Sequence, residues 1–317
     1  MIKTPLSIAL GGAFWTPGAT VIGGNTPTFD QQIQKLFANG EQGFAYDPND
    51  LSAMFQDAAG SVPVTAVGQP VGLMLDKSKS LTLGAELNTN KFTTNLTGWA
   101  APVAGSAVIE EGEAKITFTG SLESTSANWF RIIGAYKAGK RFLVTFDATH
   151  VTGTGSLQVG SHYSPTLAIT PASNGKIKKS YSAYCSAHEN SASAIVSFAS
   201  TVSGDVWKIS NVSVKEVLGN HAYQTTSAAR PTLQNNPSRI DFDAVDDKLI
   251  TKLPAQLTGC TVIRSVPNVG TQILTGQTIP ATYEDNKDHC GLIVINRALT
   301  PSETSAITSE FNKRAGV

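Results

Sequence analysis

The stretch "WKISNVSVKEVLGNHAYQTTSAARPTL", residues 207–233, decides how this chain is built. Its first part, "WKISNVSVKEV", alternates apolar and polar residues at the period of a half-buried strand and reads as the last strand of a domain. From Leu218 onward the chain reads as the middle of another domain rather than its start. Period-2 segments recur upstream: "AKITFTG" (114–120), "RFLVTFDAT" (141–149), "SLQVGSH" (156–162) and "SAIVSFAST" (193–201). Short strands separated by Gly, Ser and Asn turns predict a β-sandwich over 85–217.

Further strand-like segments lie on either side. Upstream are "VPVTAV" (62–67) and "VGLMLD" (71–76); downstream are "SRIDFDAV" (238–245), "KLITKL" (248–253), "CTVIRSV" (260–266) and "CGLIVINRAL" (290–299). Two helices frame them. In "TPTFDQQIQKLFANG", Thr28 caps, Phe29, Ile33, Leu36 and Phe37 form one stripe, and Gly40 stops a helix predicted over 29–39. In "LTPSETSAITSEFNKRAGV", Thr300 is the N-cap, Pro301 sits at the first helical position and Glu303 completes a capping box. Ile307 and Phe311 then share a face, and Gly316 ends the helix. The fold class expected is all-β: two β-sandwich (jelly-roll) lobes, one of them discontinuous, with a short N-terminal helix and a C-terminal helix.

Composition agrees with many turns and few long helices. The 317 residues are 15% charged, and 24 Lys+Arg balance 24 Asp+Glu. A nucleic-acid or membrane-surface partner favours a basic face, which argues against both here. No segment approaches the roughly 18–20 apolar residues needed to span a bilayer. Lys3 precedes an apolar run, but Pro5, Gly11, Gly12 and Pro17 break it, so a cleaved signal is not expected. Residues 1–27 carry Phe14 and Trp15 as their only large anchors and read as an extended arm. Cys185, Cys260 and Cys290 form no C-x-x-C pair and read as small buried hydrophobes, with a Cys260–Cys290 disulfide left open.

Two resemblances follow from these segments. "ELNTNKFTTNLTGW" (86–99) with the closing "WKISNVSVKEV" resembles the first and last strands of jelly-roll carbohydrate-binding modules of phage and bacterial surface proteins. "YDPNDLSAMFQDAAGSVPVTAVGQPVGLMLDKS" (46–78), "GNHAYQTTSAARPTL" (219–233), "IDFDAVDDKL" and "GLIVINRALTPSETSAI" resemble consecutive parts of one concanavalin/laminin-G-like sandwich of tailed-phage virion and tail-fibre proteins. In that family "LDKSG-x-GNHA" is usually continuous, so Ser78 and Gly219 become two broken ends with the jelly roll spliced between them. Sandwiches tolerate insertion at an exposed loop when the inserted termini lie close together. The organisation implied is a 1–40 arm and helix that docks on the virion, a sandwich from 41–80 and 219–317, and an inserted module at 85–217.

The resemblance implies a non-enzymatic virion protein, assembled in the bacterial host cytoplasm, that adheres to host surface polysaccharide. A head decoration is the alternative, and a polysaccharide-degrading enzyme is the third reading. Other virion proteins and sister subunits, as a trimer, are the expected partners. Phe14, Trp15, Phe29, Ile33 and Phe37 are the expected docking residues.

No motif points to catalysis. Glu110, Glu111 and Glu113 are too close in sequence to straddle a cleft, where glycosidase carboxyls stand roughly 5–9 Å apart, and they read as a charged turn. The five histidines show no metal spacing, and no nucleophile elbow or phosphate loop is present. No cofactor is expected. Asp241, Asp243, Asp246 and Asp247 offer oxygen ligands suited to a structural Ca²⁺; the competing reading is a strand edge and an Asp-rich turn bonding its own backbone. Ala244 stands where the resembled family has Gly. Sugar recognition pairs an aromatic face with hydrogen-bonding side chains. Trp129, Arg131, Tyr136 and Tyr163 are the candidates, with Trp129 and Arg131 alternating against Phe130 and Ile132 so that one pair faces outward. The competing role for Trp99, Trp129 and Trp207 is core filling.

Overall fold

The computed structural model describes residues 9–10, 13–14, 27–58, 60, 62–102, 105–119, 129–132, 140–161, 164–171, 177–186, 196–200 and 202–317. The first strands, β1 (Ala9–Leu10) and β2 (Ala13–Phe14), pair with each other. Helix α1 (Phe29–Leu36) has the expected capping box between Thr28 and Gln31 but stops at Phe37, sooner than its apolar stripe predicts. Then come β3 (Gly43–Tyr46), β4 (Met54–Phe55) and β5 (Leu73–Met74). "VPVTAV" forms no strand: only Pro63 bridges to Phe55, and Val62 and Val67 are exposed. Val64 alone of its valines is buried, in the core beside Met54 and Val71, and one buried side chain does not sustain a strand.

The next segment builds its own pair of sheets from β6 (Leu83–Glu86), β7 (Trp99–Ala100), β8 (Gly105–Glu110), β9 (Glu113–Phe118), β10 (Phe130–Ile132), β11 (Arg141–Thr152), β12 (Leu157–Ser161), β13 (Ser164–Ile169), β14 (Lys179–Ser186), β15 (Ser197–Ser200) and β16 (Val206–Val217). One sheet runs β13-β12-β15-β10-β7; the other runs β14-β11-β16-β9-β8, with β6 also on β16. Leu157, Val159, Phe130 and Phe198 of the first meet Phe142, Val144, Phe146, Ile209 and Val214 of the second in one core. Trp99 and Trp207 belong to that core, as expected of fillers. Burying each such large apolar side chain contributes roughly 1.5–3 kcal/mol.

The chain then returns through β17 (Ala222–Tyr223), β18 (Thr232–Gln234), β19 (Arg239–Asp241), β20 (Leu249–Lys252), β21 (Leu257–Val266), β22 (Gly270–Ile279), β23 (Thr282–Asp285) and β24 (Gly291–Ile295), and ends in α2 (Pro301–Ala315). Met74 lies opposite Ala222, and Leu73 opposite Tyr223, so β5 and β17 are antiparallel neighbours. Sheet β23-β20-β17-β5-β4 packs on sheet β22-β21-β24-β3. Phe44, Tyr46, Met74, Ala222, Leu233 and Ile240 share the core between them. The other face of the second sheet is covered by α1 and α2 through Ile33, Leu36, Ile307 and Phe311. Gly43 is required where β3 meets β24: at φ +140° a Cβ there would stand 1.9 Å from the Val294 carbonyl oxygen. Helix α2 carries the whole expected set of signals, with Thr300 as N-cap, Pro301 at its start, Glu303 in the box and Gly316 left-handed at φ 84°.

Entry to and exit from residues 83–217 are adjacent, since Leu83 pairs with Val217 and Glu86 with Lys215. The seam between the two sandwiches is aromatic. Phe55 and Tyr184 rings stand 5.1 Å apart, and the Arg141 guanidinium lies 5.3 Å over the Tyr223 ring. Burial lowers the Arg141 pKa to about 10. All three cysteines are free.

Candidate functional site

The carbohydrate candidates fall on β10. Phe130 and Ile132 enter the core, so Arg131 faces the other side of its sheet. Register places Arg131 between Ala100 of β7 and Ser197 of β15, with Gly160 of β12 beyond. Trp129, absent from that core, falls by alternation on the Arg131 side, as does Gln158 opposite Ala199. An indole, a guanidinium and an amide therefore share the outward face of a sheet whose intervening residues are small. That face is only partly open, with Arg131 and Gln158 half-buried. Trp129 is 5% exposed, Ala199 1% and Ser197 0%, and Ser197 Oγ has no hydrogen-bond partner among the described residues. Of the two roles open to Trp129, neither is met in full: the side chain is buried, but it lies outside the core cluster between the sheets. Tyr136 and Tyr163 lie outside the described residues.

The acidic cluster divides. Asp243, Asp246 and Asp247 bring carboxylate oxygens within 4.8 Å of one another, while Asp241 is tied to Arg239 at 2.9 Å. Asp243 Oδ1 accepts from the backbone N–H groups of Val245, Asp246 and Asp247, and these bonds hold its pKa below the usual carboxylate value. Ala244 adopts φ 60°, a left-handed conformation that Gly takes without strain. The chemistry on display is that of a self-capped turn. Glu110 and Glu113 face each other across the β8–β9 hairpin, with Lys115, Lys178 and Lys208 in ion pairs with this acidic group.

Of the docking residues, Phe29, Ile33 and Phe37 are 5%, 0% and 5% exposed. Phe29 lies against the Phe311 ring at 5.5 Å. These side chains fasten α1 to α2 and the sheet, so they are not free to dock on another protein. The helix is an integral part of the sandwich rather than of an arm. The Phe14 side chain and Trp15 lie outside the described residues.

A cluster that no motif announced sits at the joint between the two sandwiches. Asp76, fully buried, accepts hydrogen bonds from Ala45 N, Ser78 N, Ser78 Oγ and Asn220 N at 2.7–2.8 Å. Its own N–H donates to His221 Nδ1 at 2.9 Å, and His221 Nε2 donates to the Val217 carbonyl at 3.0 Å. Burial raises the Asp76 pKa to about 6 against the pull of these donors, and burial lowers that of His221 to about 4. The signal was present in "LMLDKS" and "LGNHA", but pairing two residues 145 apart needs the fold.

The protein is thus an all-β molecule of two sandwiches. No protein-family model and no curated protein sequence matches it. Among solved structures it is similar to one described as "CBM4 structure and function" (14% identity, 41% of this chain, 99% of that chain, TM-score 0.30). It is similar also to the apo CBM1 of BiXyn10A (12%, 43%, 99%, 0.28). A third is the second N-terminal cellulose-binding domain of Cellulomonas fimi beta-1,4-glucanase C (14%, 43%, 100%, 0.28). Likenesses at this level carry no inference about ligand.

Proposed function

We propose that the protein is a non-enzymatic component of a tailed-phage virion, of tail-fibre or tail-tip type, that adheres to host surface glycan. The observation that supports this best is the composite build. A second pair of sheets interrupts the first sandwich between β5 and β17, with its two ends side by side and the flanking segments joined by the Asp76–His221 bond. An added module on a self-sufficient scaffold is an arrangement suited to displaying a binding surface. The resemblance of residues 46–78 and 219–233 to virion proteins, and of 86–99 and 207–217 to carbohydrate-binding modules, supplies the biological setting. This step rests on fold and family analogy. The arm of residues 1–26 is the segment proposed to dock on the particle and on sister subunits.

The test is adhesion of the purified full chain to host cells and to their extracted surface polysaccharide. Arg131→Ala and Gln158→Ala are expected to weaken binding by about tenfold, the order of one lost charge-assisted or amide hydrogen bond. Circular dichroism checks that both variants fold. Absence of binding to cells and to polysaccharide alike would overturn the adhesive role. Imaging the protein on intact particles, with and without residues 1–26, distinguishes tail from head decoration.

A further inference from the structure

The first sandwich carries an open groove that none of the sequence signals indicated. Strands β22 and β23 are consecutive but lie in different sheets, and each is the edge of its own sheet. Ten-residue β22 extends past four-residue β23, so the inner face of β22 has no opposing strand. Leu274, which pairs with Val262 and so faces the sandwich interior, is 44% exposed. The result is a groove of about 290 Å³ between the two edges.

Its lining is specific in chemistry. Gln272, Gln277 and Asn286 supply amide groups, each both donor and acceptor. Leu274 and Pro280 supply apolar surface beside the Tyr283 ring, which lies tilted against Phe44 at 5.4 Å. The ionised groups are largely spent. At the floor, Arg264 Nη2 meets Asp285 Oδ1 at 2.6 Å, and at the rim Glu284 is bridged by Lys248 at 3.1 Å. The remaining cation, Lys287, is exposed to solvent. An anionic ligand would find no desolvated, uncompensated positive charge, and an apolar ligand would strand the amides.

The geometry points to this groove as a binding site for a neutral saccharide, holding about one or two sugar rings, because its volume is at the small end of ligand pockets. A pyranose has hydroxyls that both donate and accept, matched by the three amides, and a C–H face matched by Leu274 and Tyr283. The site is preorganised. Strand β22 is held on its other face by α2, where Thr271 N donates to Asn312 Oδ1 at 2.8 Å, and Arg264 is locked by the Lys287 carbonyl at 2.6 Å. The inference deepens the adhesive reading by adding a glycan site on the scaffold sandwich, separate from the β10 face.

The test uses the full chain and a panel of neutral disaccharides (lactose, maltose and cellobiose), followed by saturation-transfer NMR and calorimetry. Saturable binding of at least one disaccharide is expected. The double variant Gln272→Ala/Gln277→Ala is expected to weaken it about tenfold or more, since both side chains lie on the edge strand and the core is untouched. Arg131→Ala is expected to leave it unchanged. Binding of none of the three at about 10 mM sugar, weaker than any useful saccharide site, overturns the proposal. So does binding that the double variant leaves intact while its thermal unfolding matches wild type. Disaccharide binding that persists in a protein unable to adhere to host cells upholds the groove and removes the adhesive role, so the two readings fail separately.

Discussion

Asp76→Ala is expected to destabilise the interrupted sandwich by about 4 kcal/mol, near the upper end for a single substitution. The side chain is completely buried and is the common acceptor of four donors, three of them backbone N–H groups that cannot turn away. A buried donor left without a partner costs roughly 1–3 kcal/mol, and relaxation recovers only part of that sum. The loss also falls where the chain leaves one sandwich and re-enters it. Ala45 belongs to β3, Ser78 is the exit and Asn220 the return, so one carboxylate joins three segments far apart in sequence. The Gly219 backbone passes so close that a Cβ would stand 2.9 Å from Asp76 Oδ2, leaving no room for the chain to shift inward. Calorimetry is the measurement. Three of the four tryptophans, Trp99, Trp129 and Trp207, lie in residues 83–217, so in a Trp15→Phe background tryptophan fluorescence follows the inserted sandwich while heat capacity reports both. The expected result is an earlier calorimetric transition with the fluorescence transition moved less. A variant within about 1 kcal/mol of wild type, the typical cost of an ordinary substitution, would show that the joint does not depend on this residue.

Asp285→Ala is expected to cost about 3–5 kcal/mol, the usual penalty for removing one member of a buried ion pair. Asp285 is 3% and Arg264 6% exposed, and His289, completely buried, stands 3.2 Å from the second carboxylate oxygen. Burial pushes the Asp285 carboxyl up, but Arg264 and His289 outweigh it and hold the pKa at about 2. A folded pKa below the unfolded value of about 3.9 gives stability that is fully present above pH 4 and lost as pH falls through 2. Wild type is therefore expected to lose stability steeply over that window, and Asp285→Asn to lack this part of the slope. The double variant Arg264→Met/Asp285→Leu is expected to be much milder than Asp285→Ala, because it removes the stranded charge together with its partner. Urea unfolding of the three variants between pH 2 and 5 measures all of this. A double variant as unstable as the single one would mean that the pair itself, and not the uncompensated guanidinium, sets the cost.

Signals confined to a few neighbouring residues were legible. The capping box and Pro301 place α2, the stripe Phe29–Ile33–Leu36 places α1, and the alternation in "RFLVTFDAT" and "WKISNVSVKEV" places the two longest strands of the second sandwich. Strand β22, "GTQILTGQTI", is not marked by the sequence because it is a sheet edge whose middle, residues 274–276, is exposed, and it carries no apolar–polar alternation. "VPVTAV" errs in the opposite sense: its pattern predicts a strand, but only Val64 reaches the core while Val62 and Val67 stay exposed. Phe29, Ile33 and Phe37 share the buried stripe that their spacing predicts, but they serve packing rather than docking, because α2 returns to cover them and the sequence does not reveal that.

Local chemistry was sufficient for the all-β class, both helices and the suspicion that "LGNHA" resumes something begun earlier, because caps, turns and side-chain alternation act over a few residues. The pairing of β5 with β17, the burial of Asp76 against His221, the covering of Trp129 and the open groove beside β22 depend on which distant segments share a layer. Each is set by packing between residues tens to hundreds of positions apart, and a side chain's exposure is a property of its neighbours rather than of its own chemistry.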